Sequence, residues 1–145
     1  MKRSRRLGTL VRLAAMAERN ARTGLARANQ DVLRKDGQQR QLESYEAEYG
    51  DAWLEAGRLG LPGEKAKGLA AFRDSLANTL EAHRSSLRAA EAQRDEQARR
   101  WQGMRSQLRV FEDLEERARR AEDREREKRL QKAIDELSAR PRLPD

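Results

Sequence analysis

The segment GLPGEKAK, residues 60–67, comes nearest to a phosphate-binding loop. It does not meet the Walker spacing G-x-x-x-x-G-K-[ST], and the Glu64 carboxylate would repel an anion there. His83 is the only histidine and has no partner set for nucleophilic catalysis, and no cysteine is present to hold a metal. Acidic pairs are plentiful, but a thin helical chain has no pocket that would shift their pKa values. We therefore expect a protein that is not an enzyme, with no catalytic residues, metal site or cofactor.

The composition favours long helices over a rounded core. Charged residues make up 39% of the 145 residues and aromatic residues only 4%, a mixture typical of coiled coils. β-branched residues are too few to build a sheet. The longest apolar run, residues 13–17, is far shorter than the roughly 20 residues of a membrane span, and the amino terminus lacks the apolar region of a secretory signal. We expect an all-α, soluble, cytoplasmic protein.

One short stretch, residues 57–63, interrupts the helical pattern, because its three glycines and one proline oppose helix formation. The sequence predicts a single elongated domain, 1–145, with helix 1 at about 4–56, a bend at 57–64, helix 2 at about 65–140 and a tail at 141–145. A short bend makes the helices antiparallel neighbours. The predicted fold is a long antiparallel two-helix coiled coil, an α-hairpin rod, in which Leu7 lies opposite about Glu116 and helix 2 is the longer helix.

Apolar residues at spacings of three and four predict the surface along which each helix packs, here called its seam. For helix 1 the predicted seam has a one-residue slip and is weakened by the polar stretch 34–41; its first members are Leu7, Leu10, Ala14, Ala17, Ala21, Leu25, Ala28 and Val32. For helix 2 the predicted seam is more regular, and it comprises Leu76, Leu80, His83, Leu87, Ala90, Arg94, Gln97, Trp101, Met104, Leu108 and Phe111.

Three of the six aromatic residues, Tyr45, Tyr49 and Trp53, stand four apart. On a helix this spacing places them with Leu42 along one stripe. A packed core, a seam against another helix and a docking surface would each use such a stripe. Because a two-helix seam is narrow, we expect the rings to stay partly exposed, which favours docking over capping of a frayed coiled coil.

Charge is unevenly distributed along the chain. Residues 1–40, here called the basic arm, hold eleven lysines and arginines against three acids. Such an arm could meet nucleic acid, anionic lipid or an acidic protein surface. It contains no aromatic residue to stack on bases, and its arginines are spread around the helix, so nucleic acid is the weaker interpretation. Residues 112–129 are charged at fifteen of eighteen places, and five acids precede an arginine by four residues, which supports an exposed helix.

An ordered set of features runs through nearly the whole chain. It begins with L-x2-Y-x2-E-Y and ends with K-x2-D-E, and its members are Leu42, Tyr45, Glu48, Tyr49, Phe72, Leu76, His83, Trp101, Leu108, Phe111, Leu114, Glu116, Arg117, Lys132, Asp135, Glu136 and Arg140. In this order and at this length the sequence resembles the FliJ family, small soluble components of the bacterial flagellar type III protein export apparatus.

The resemblance implies a fold, partners and sites. It implies a coiled coil similar to the central stalk of rotary ATPases, which binds the hexameric flagellar export ATPase, promotes its assembly and activity, links it to the cytoplasmic domain of the membrane export gate and handles export chaperones. The gate surface it implies comprises Gln38, Leu42, Tyr45, Tyr49, Phe72, Leu76 and His83. The basic arm would face the ATPase, with Arg5, Arg6, Arg12 and Arg19 as candidate contacts. The location it implies is the cytoplasmic face of the inner membrane at the flagellar base.

Three other interpretations stay open on the sequence alone. The chain could be the corresponding stalk of an injectisome, which serves virulence secretion. It could be a generic coiled-coil scaffold with no ATPase partner. It could also be a basic helical hairpin associated with RNA or DNA.

Overall fold

The protein consists of two long helices. The computed structural model describes residues 2–60 and 62–141, in which α1 spans Arg3–Leu59 and α2 spans Gly63–Ala139. The described residues contain no strand, and the prediction of an all-α, two-helix coiled coil is confirmed. The described residues exclude Met1, Leu61 and residues 142–145. The predictions of the basic arm, the bend and the tail lie outside the described residues at these positions.

The turn between the helices is shorter than residues 57–64. Gly57 remains helical, because one glycine inside a helix costs only about 1 kcal/mol relative to alanine. Gly60 follows the last residue of α1 and has a φ of 73°, a left-handed conformation that glycine adopts without a Cβ clash. The Pro62 carbonyl then accepts the first hydrogen bond of α2 from the Ala66 N–H, at 3.1 Å. Gly60 and Pro62 therefore separate the helices.

The seam of α1 keeps a regular alternation of four and three residues. Its buried or half-buried members are Leu7, Val11, Ala14, Glu18, Ala21, Leu25, Ala28, Val32, Lys35, Gln39 and Leu42. The predicted one-residue slip was wrong. The prediction followed apolar residues only and therefore placed Leu10 in the seam. Leu10 is 40% exposed, and Val11 occupies that seam position in the structure. The prediction also passed over the buried Glu18 and Gln39, because a polar residue can occupy a seam position when it has a partner.

The seam of α2 agrees with the prediction. All eleven predicted members, from Leu76 to Phe111, are buried or half-buried, and the same spacing continues through Glu115, Ala118 and Glu122. Leu80, at 1% exposure, is the largest fully buried side chain in the described part of the chain. A core this narrow relies on small residues such as Ala90 and Ala118, which let the two helices approach closely.

The contacts between α1 and α2 divide into two units. Unit 1 comprises Met1–Asn20 and Gln102–Asp145. Within it, Ser4 bonds to Glu122, and a Cβ added at Gly8 would lie 3.4 Å from Glu115 Oε2. The partner numbers on α2 fall as those on α1 rise, so the helices are antiparallel, and the Gly8 contact agrees with the predicted level of Leu7 and Glu116.

Unit 2 comprises Ala21–Trp101. Within it, the Lys35 ammonium bonds to the Ser86 hydroxyl at 3.0 Å, and the Tyr49 ring contacts the Phe72 ring. The partner numbers again fall along α2, which gives an antiparallel pair. Unit 2 contains all seven residues of the implied gate surface, and unit 1 contains the four candidate ATPase arginines.

Candidate partner-binding surfaces

Unit 2 carries an exposed aromatic surface, here called the aromatic face, formed by Tyr45 and Tyr49 on α1 and Phe72 on α2. The exposed fractions of these side chains are 55%, 37% and 45%. The Tyr49 and Phe72 ring centroids lie 4.5 Å apart with the planes tilted by 48°, within the range of favourable ring pairs. The two helices therefore share one patch of ring surface that water still reaches.

The seam fixes where the aromatic face lies. Leu42 and Leu76 are half-buried seam residues, one on each helix. Tyr45 follows Leu42 by three residues and stands beside the packed line. Tyr49 follows Leu42 by seven residues, one heptad along the same line, and lies next to Tyr45 on α1. Because Tyr49 already contacts Phe72 across the two helices, these two rings form a preformed surface.

Trp53 is separate from the aromatic face. Its side chain is half-buried, and it lines a small hollow beside the turn with Ala56, Gly57, Gly60 and Ala66. The small neighbours leave room for the indole. The predicted stripe of Leu42, Tyr45, Tyr49 and Trp53 thus divides into two inner residues and two exposed tyrosines.

A hydrogen-bonded polar layer crosses the seam of unit 2. Gln39 is only 5% exposed; its amide Nε2 donates to Glu43 Oε1 at 3.1 Å, which turns its Oε1 toward His83. The His83 Nδ1–H donates to that Gln39 Oε1 at 2.8 Å, and His83 Nε2 lies 3.2 Å from Gln38 Oε1. Arg84 lies 3.9 Å from Glu43. The shorter contact, from Nδ1 to the buried Gln39, therefore orients the His83 ring.

Sequence reasoning missed most of this layer. It named Gln38 and His83 for the gate surface but omitted Gln39, Lys35 and Glu43, because it read residues 34–41 as a weakening of the seam. The signal was present: extending the seam from Val32 by three and then four residues reaches Lys35 and Gln39. A polar residue at a seam position indicates a partner across the interface, here Ser86 for Lys35 and His83 for Gln39.

The four candidate arginines lie on the first five turns of α1 in unit 1, and all are exposed. Arg5, Arg12 and Arg19 are seven residues apart and so form one line along the helix, whereas Arg6 lies about 100° around it. Arg12 donates to the Thr9 hydroxyl at 3.3 Å. The structure thus separates the candidates into a line of three and a fourth residue on another side.

A carboxylate from α2 holds the start of α1. Glu122 accepts a 2.7 Å bond from the Ser4 hydroxyl and a 3.2 Å bond from the Ser4 backbone N–H. These two bonds are the main causes that lower the pKa of Glu122 from its ordinary value of 4.5, and the charges of Lys2 and Arg126 lower it further. The negative charge sits at the positive end of the helix dipole, where it is favourable.

The last part of α2 is a solvated helix. Every residue from 123 to 141 is exposed. Four of the five predicted acid–arginine pairs form, namely Asp113–Arg117, Glu115–Arg119, Glu116–Arg120 and Glu125–Arg129. The fifth acid, Glu122, bonds to Ser4 instead, and Arg126 lies 3.8 Å from Asp123. Local ion pairs therefore support α2 from residue 113 to residue 129, each by about 0.2–0.5 kcal/mol.

Two features are absent from the described ranges, 2–60 and 62–141. No helix there is long and apolar enough to cross a membrane. No group of three or more histidine, aspartate or glutamate side chains there is arranged to hold a metal ion.

Comparison with known proteins gives one family. A family model described as the flagellar FliJ protein matches residues 2–141. Neither the curated proteins nor the solved structures include a match to this chain. The family match covers nearly every residue of both helices and confirms the resemblance drawn from the ordered residues. This chain belongs to the FliJ family, and it is a component of the flagellar export apparatus.

Proposed function

We propose that this chain links the flagellar export ATPase to the membrane export gate. One end of the link would be the aromatic face, which binds the cytoplasmic domain of the gate. The other would be the line of arginines on α1, which binds the ATPase ring and promotes its assembly and activity. The observation that carries the proposal is that Tyr45, Tyr49 and Phe72 remain exposed on a coiled coil whose family is one of export components.

The chemistry of the aromatic face suits a protein partner. Tyrosine and phenylalanine bury large areas on binding and lose little side-chain freedom, so they often dominate the energy of an interface. Tyr49 and Phe72 already contact each other and pay little to be ordered further. Gln38, exposed beside His83, adds an amide that can hydrogen-bond at the edge of the patch.

The arginine line suits a partner that moves. Exposed ion pairs contribute about 0–1 kcal/mol each and are weakened by salt. Arg5, Arg12 and Arg19 are exposed, so their contacts with acidic groups of an ATPase ring can break and form again as the ring changes shape. A tight apolar contact at the same place would instead hold the ring in one state.

The remaining parts of the proposal follow from the two links. A protein that bridges the ATPase and the gate works at the cytoplasmic face of the inner membrane at the flagellar base, through its partners. Export chaperones delivering their cargo to the same apparatus would meet the chain there, and we include their binding in the proposal.

The gate link is tested by affinity. Tyr49→Ala and Phe72→Ala should each weaken binding to the purified cytoplasmic domain of the export gate by at least about tenfold, since each removes an interface ring worth about 1–2 kcal/mol or more. The matched control is Leu33→Ala, which truncates another exposed side chain of unit 2. Equal losses in all three variants, or none in the aromatic variants, would contradict the gate assignment.

The ATPase link is tested by hydrolysis rate and by sizing. The chain should raise ATP hydrolysis by the export ATPase and shift it toward ring-sized assemblies. Changing Arg5, Arg12 and Arg19 to alanine should reduce both effects and lower their salt dependence. The charge-matched control changes the exposed unit 2 residues Arg27, Arg73 and Arg88 to alanine.

The same experiment separates the other interpretations. Stimulation of an injectisome ATPase in preference to the flagellar one would favour the virulence counterpart. No effect on either ATPase at low salt would favour a scaffold, and a salt-dependent shift of labelled RNA or DNA would favour a nucleic-acid-associated hairpin.

A further inference from the structure

Unit 1 has a second apolar strip outside its seam. In heptad letters, with the seam at a and d, the strip occupies g and c on both helices: Leu10, Leu13 and Ala17 on α1, and Val110 and Leu114 on α2. Leu10, Leu13 and Val110 are 40%, 57% and 56% exposed. A two-helix coiled coil needs apolar residues only at a and d. Apolar residues at g and c therefore indicate another contact.

The two helices contribute to the same side of unit 1. In an antiparallel pair the g positions of both helices border one groove and the e positions border the other. Val11, one residue after Leu10, borders the charged side, where it lines a hollow with Arg109, Glu112 and Glu116. Leu10 and Val110 lie about 100° from Val11 and Arg109 respectively. The strip therefore forms a groove opposite the charged side, and we call it the g/c groove.

The charged residues at the g and c positions of the groove have one sign. The other g and c positions of α1 from 3 to 20 and of α2 from 103 to 124 are Arg3, Arg6, Asn20, Gly103, Gln107, Arg117, Ala121 and Arg124. Four are arginines and none is acidic. Arg117 reaches the Asp113 carboxylate at 3.1 Å but remains largely exposed, at 74% of its side chain. A partner in this groove therefore meets leucine and valine at the centre and positive charge at the edges.

We propose that the g/c groove binds an acidic amphipathic helix of a partner protein, which completes a three-helix coiled coil in unit 1. A groove between two packed helices accepts a third helix by the same ridge-and-groove packing. Glutamates beside the apolar stripe of that helix would face Arg6, Arg117 and Arg124. A second copy of the chain would place these arginines against one another, so it fits poorly.

The groove is distinct from the proposed ATPase line. Arg5, Arg12 and Arg19 occupy b positions, on the other side of α1 from Leu10, and only Arg6 is common to the groove and the candidate ATPase contacts. The inference holds whichever export component supplies the helix. Failure of the groove and failure of the ATPase link are separate results, because they are tested with different variants and different binding partners.

The test uses the full chain and a labelled synthetic peptide of three heptads, with leucine at a and d and glutamate at e and g. A matched peptide has lysine in place of glutamate. Fluorescence anisotropy should show binding of the acidic peptide and at least about tenfold weaker binding of the basic one, because both peptides offer the same apolar area.

Variants locate the site. Leu10→Gln with Leu13→Gln should weaken the acidic peptide at least about tenfold, and because both residues are exposed the helical content should not change. Leu33→Gln, at an exposed leucine of unit 2, is the control and should have no effect. Equal binding of the two peptides, no binding of either, or an equal loss in the control would overturn the proposal. So would binding of the chain to anionic lipid vesicles, lost in the double variant, without binding of the acidic peptide.

Discussion

The polar layer of unit 2 makes a quantitative prediction about how His83 is held. Gln39→Ala removes a buried acceptor 2.8 Å from His83 Nδ1 and leaves that N–H without its partner. An unsatisfied buried donor costs about 1–3 kcal/mol, and the lower part of that range applies to the half-buried His83 ring because water reaches part of it. His83→Ala removes the other partner. We expect a double-mutant cycle of the two substitutions to give a coupling free energy of about 1–2 kcal/mol, because the second substitution no longer breaks a bond.

Gln38 provides the matched control for this cycle. Its Oε1 lies 3.2 Å from the other nitrogen of the same ring, but Gln38 is exposed and water can replace it. The Gln38–His83 cycle should therefore give a coupling below about 0.5 kcal/mol. Urea unfolding followed by the far-ultraviolet helical signal measures the free energy of unfolding in each variant. Equal couplings in the two cycles, or a Gln39–His83 coupling near zero, would refute the reasoning.

The same variants separate stability from binding at the gate. Gln39 is buried and cannot contact the gate directly, whereas His83 is half-buried and belongs to the implied gate surface. If Gln39→Ala weakens gate binding as much as His83→Ala at a temperature where both variants are folded, then the histidine acts through its orientation. If only His83→Ala weakens binding, the ring itself contacts the gate.

Three further predictions concern stability. Leu80→Ala should lower the free energy of unfolding, measured in urea, by about 2–5 kcal/mol, because it leaves a cavity at the most buried large side chain. Leu33→Ala, at an exposed position, should change the same free energy by less than about 0.5 kcal/mol. Gly37→Ala should raise it by about 1 kcal/mol in the same assay, because an added Cβ meets nothing within 4 Å. Because the pKa of Glu122 is lowered in the folded chain, the ionised carboxylate stabilises the fold fully above its ordinary pKa of 4.5. This stabilisation is lost as the pH falls through the lowered pKa. Glu122→Gln and Ser4→Ala should both reduce this acid-induced loss of stability, measured by thermal unfolding.

The sequence was sufficient to predict the two helices, but it did not identify every residue through which they pair. The glycines and proline near residue 60 and the heptads of α2 predicted two antiparallel helices, and both features are local. The seam of α1 was harder, because Glu18, Lys35 and Gln39 occupy seam positions that an apolar pattern does not identify. Lys35 and Gln39 bond to Ser86 and His83 of the other helix, and a single-helix pattern contains no information about those partners.

The candidate surfaces, too, were predicted only in part from the sequence. The spacing of Tyr45 and Tyr49 predicted that they share one side of α1, and the narrow seam predicted their exposure. The contact of Tyr49 with Phe72 required the register between the helices. The g/c groove was not predicted, because the apolar pattern assigned Leu10 and Ala17 to the seam. An apolar residue one position from a seam fits both a seam and a neighbouring surface in the sequence.

The polar seam positions explain how unit 2 holds the register that its aromatic face requires. A shift of one heptad would move Gln39 from His83 to Leu76 or Ala90, neither of which can hydrogen-bond its amide, at a cost of about 1–3 kcal/mol. Gly24 acts with it: a Cβ at this position would lie 2.8 Å from Gln97 Oε1, so the absence of a side chain leaves room for the glutamine in this register. The same shift would move Tyr49 from Phe72 to Lys65 or Thr79 and divide the aromatic face. Leucines alone would tolerate such a shift, because one apolar heptad packs much like the next. The buried glutamine therefore selects the register in which the tyrosine and the phenylalanine form a common surface, and the glycine permits it.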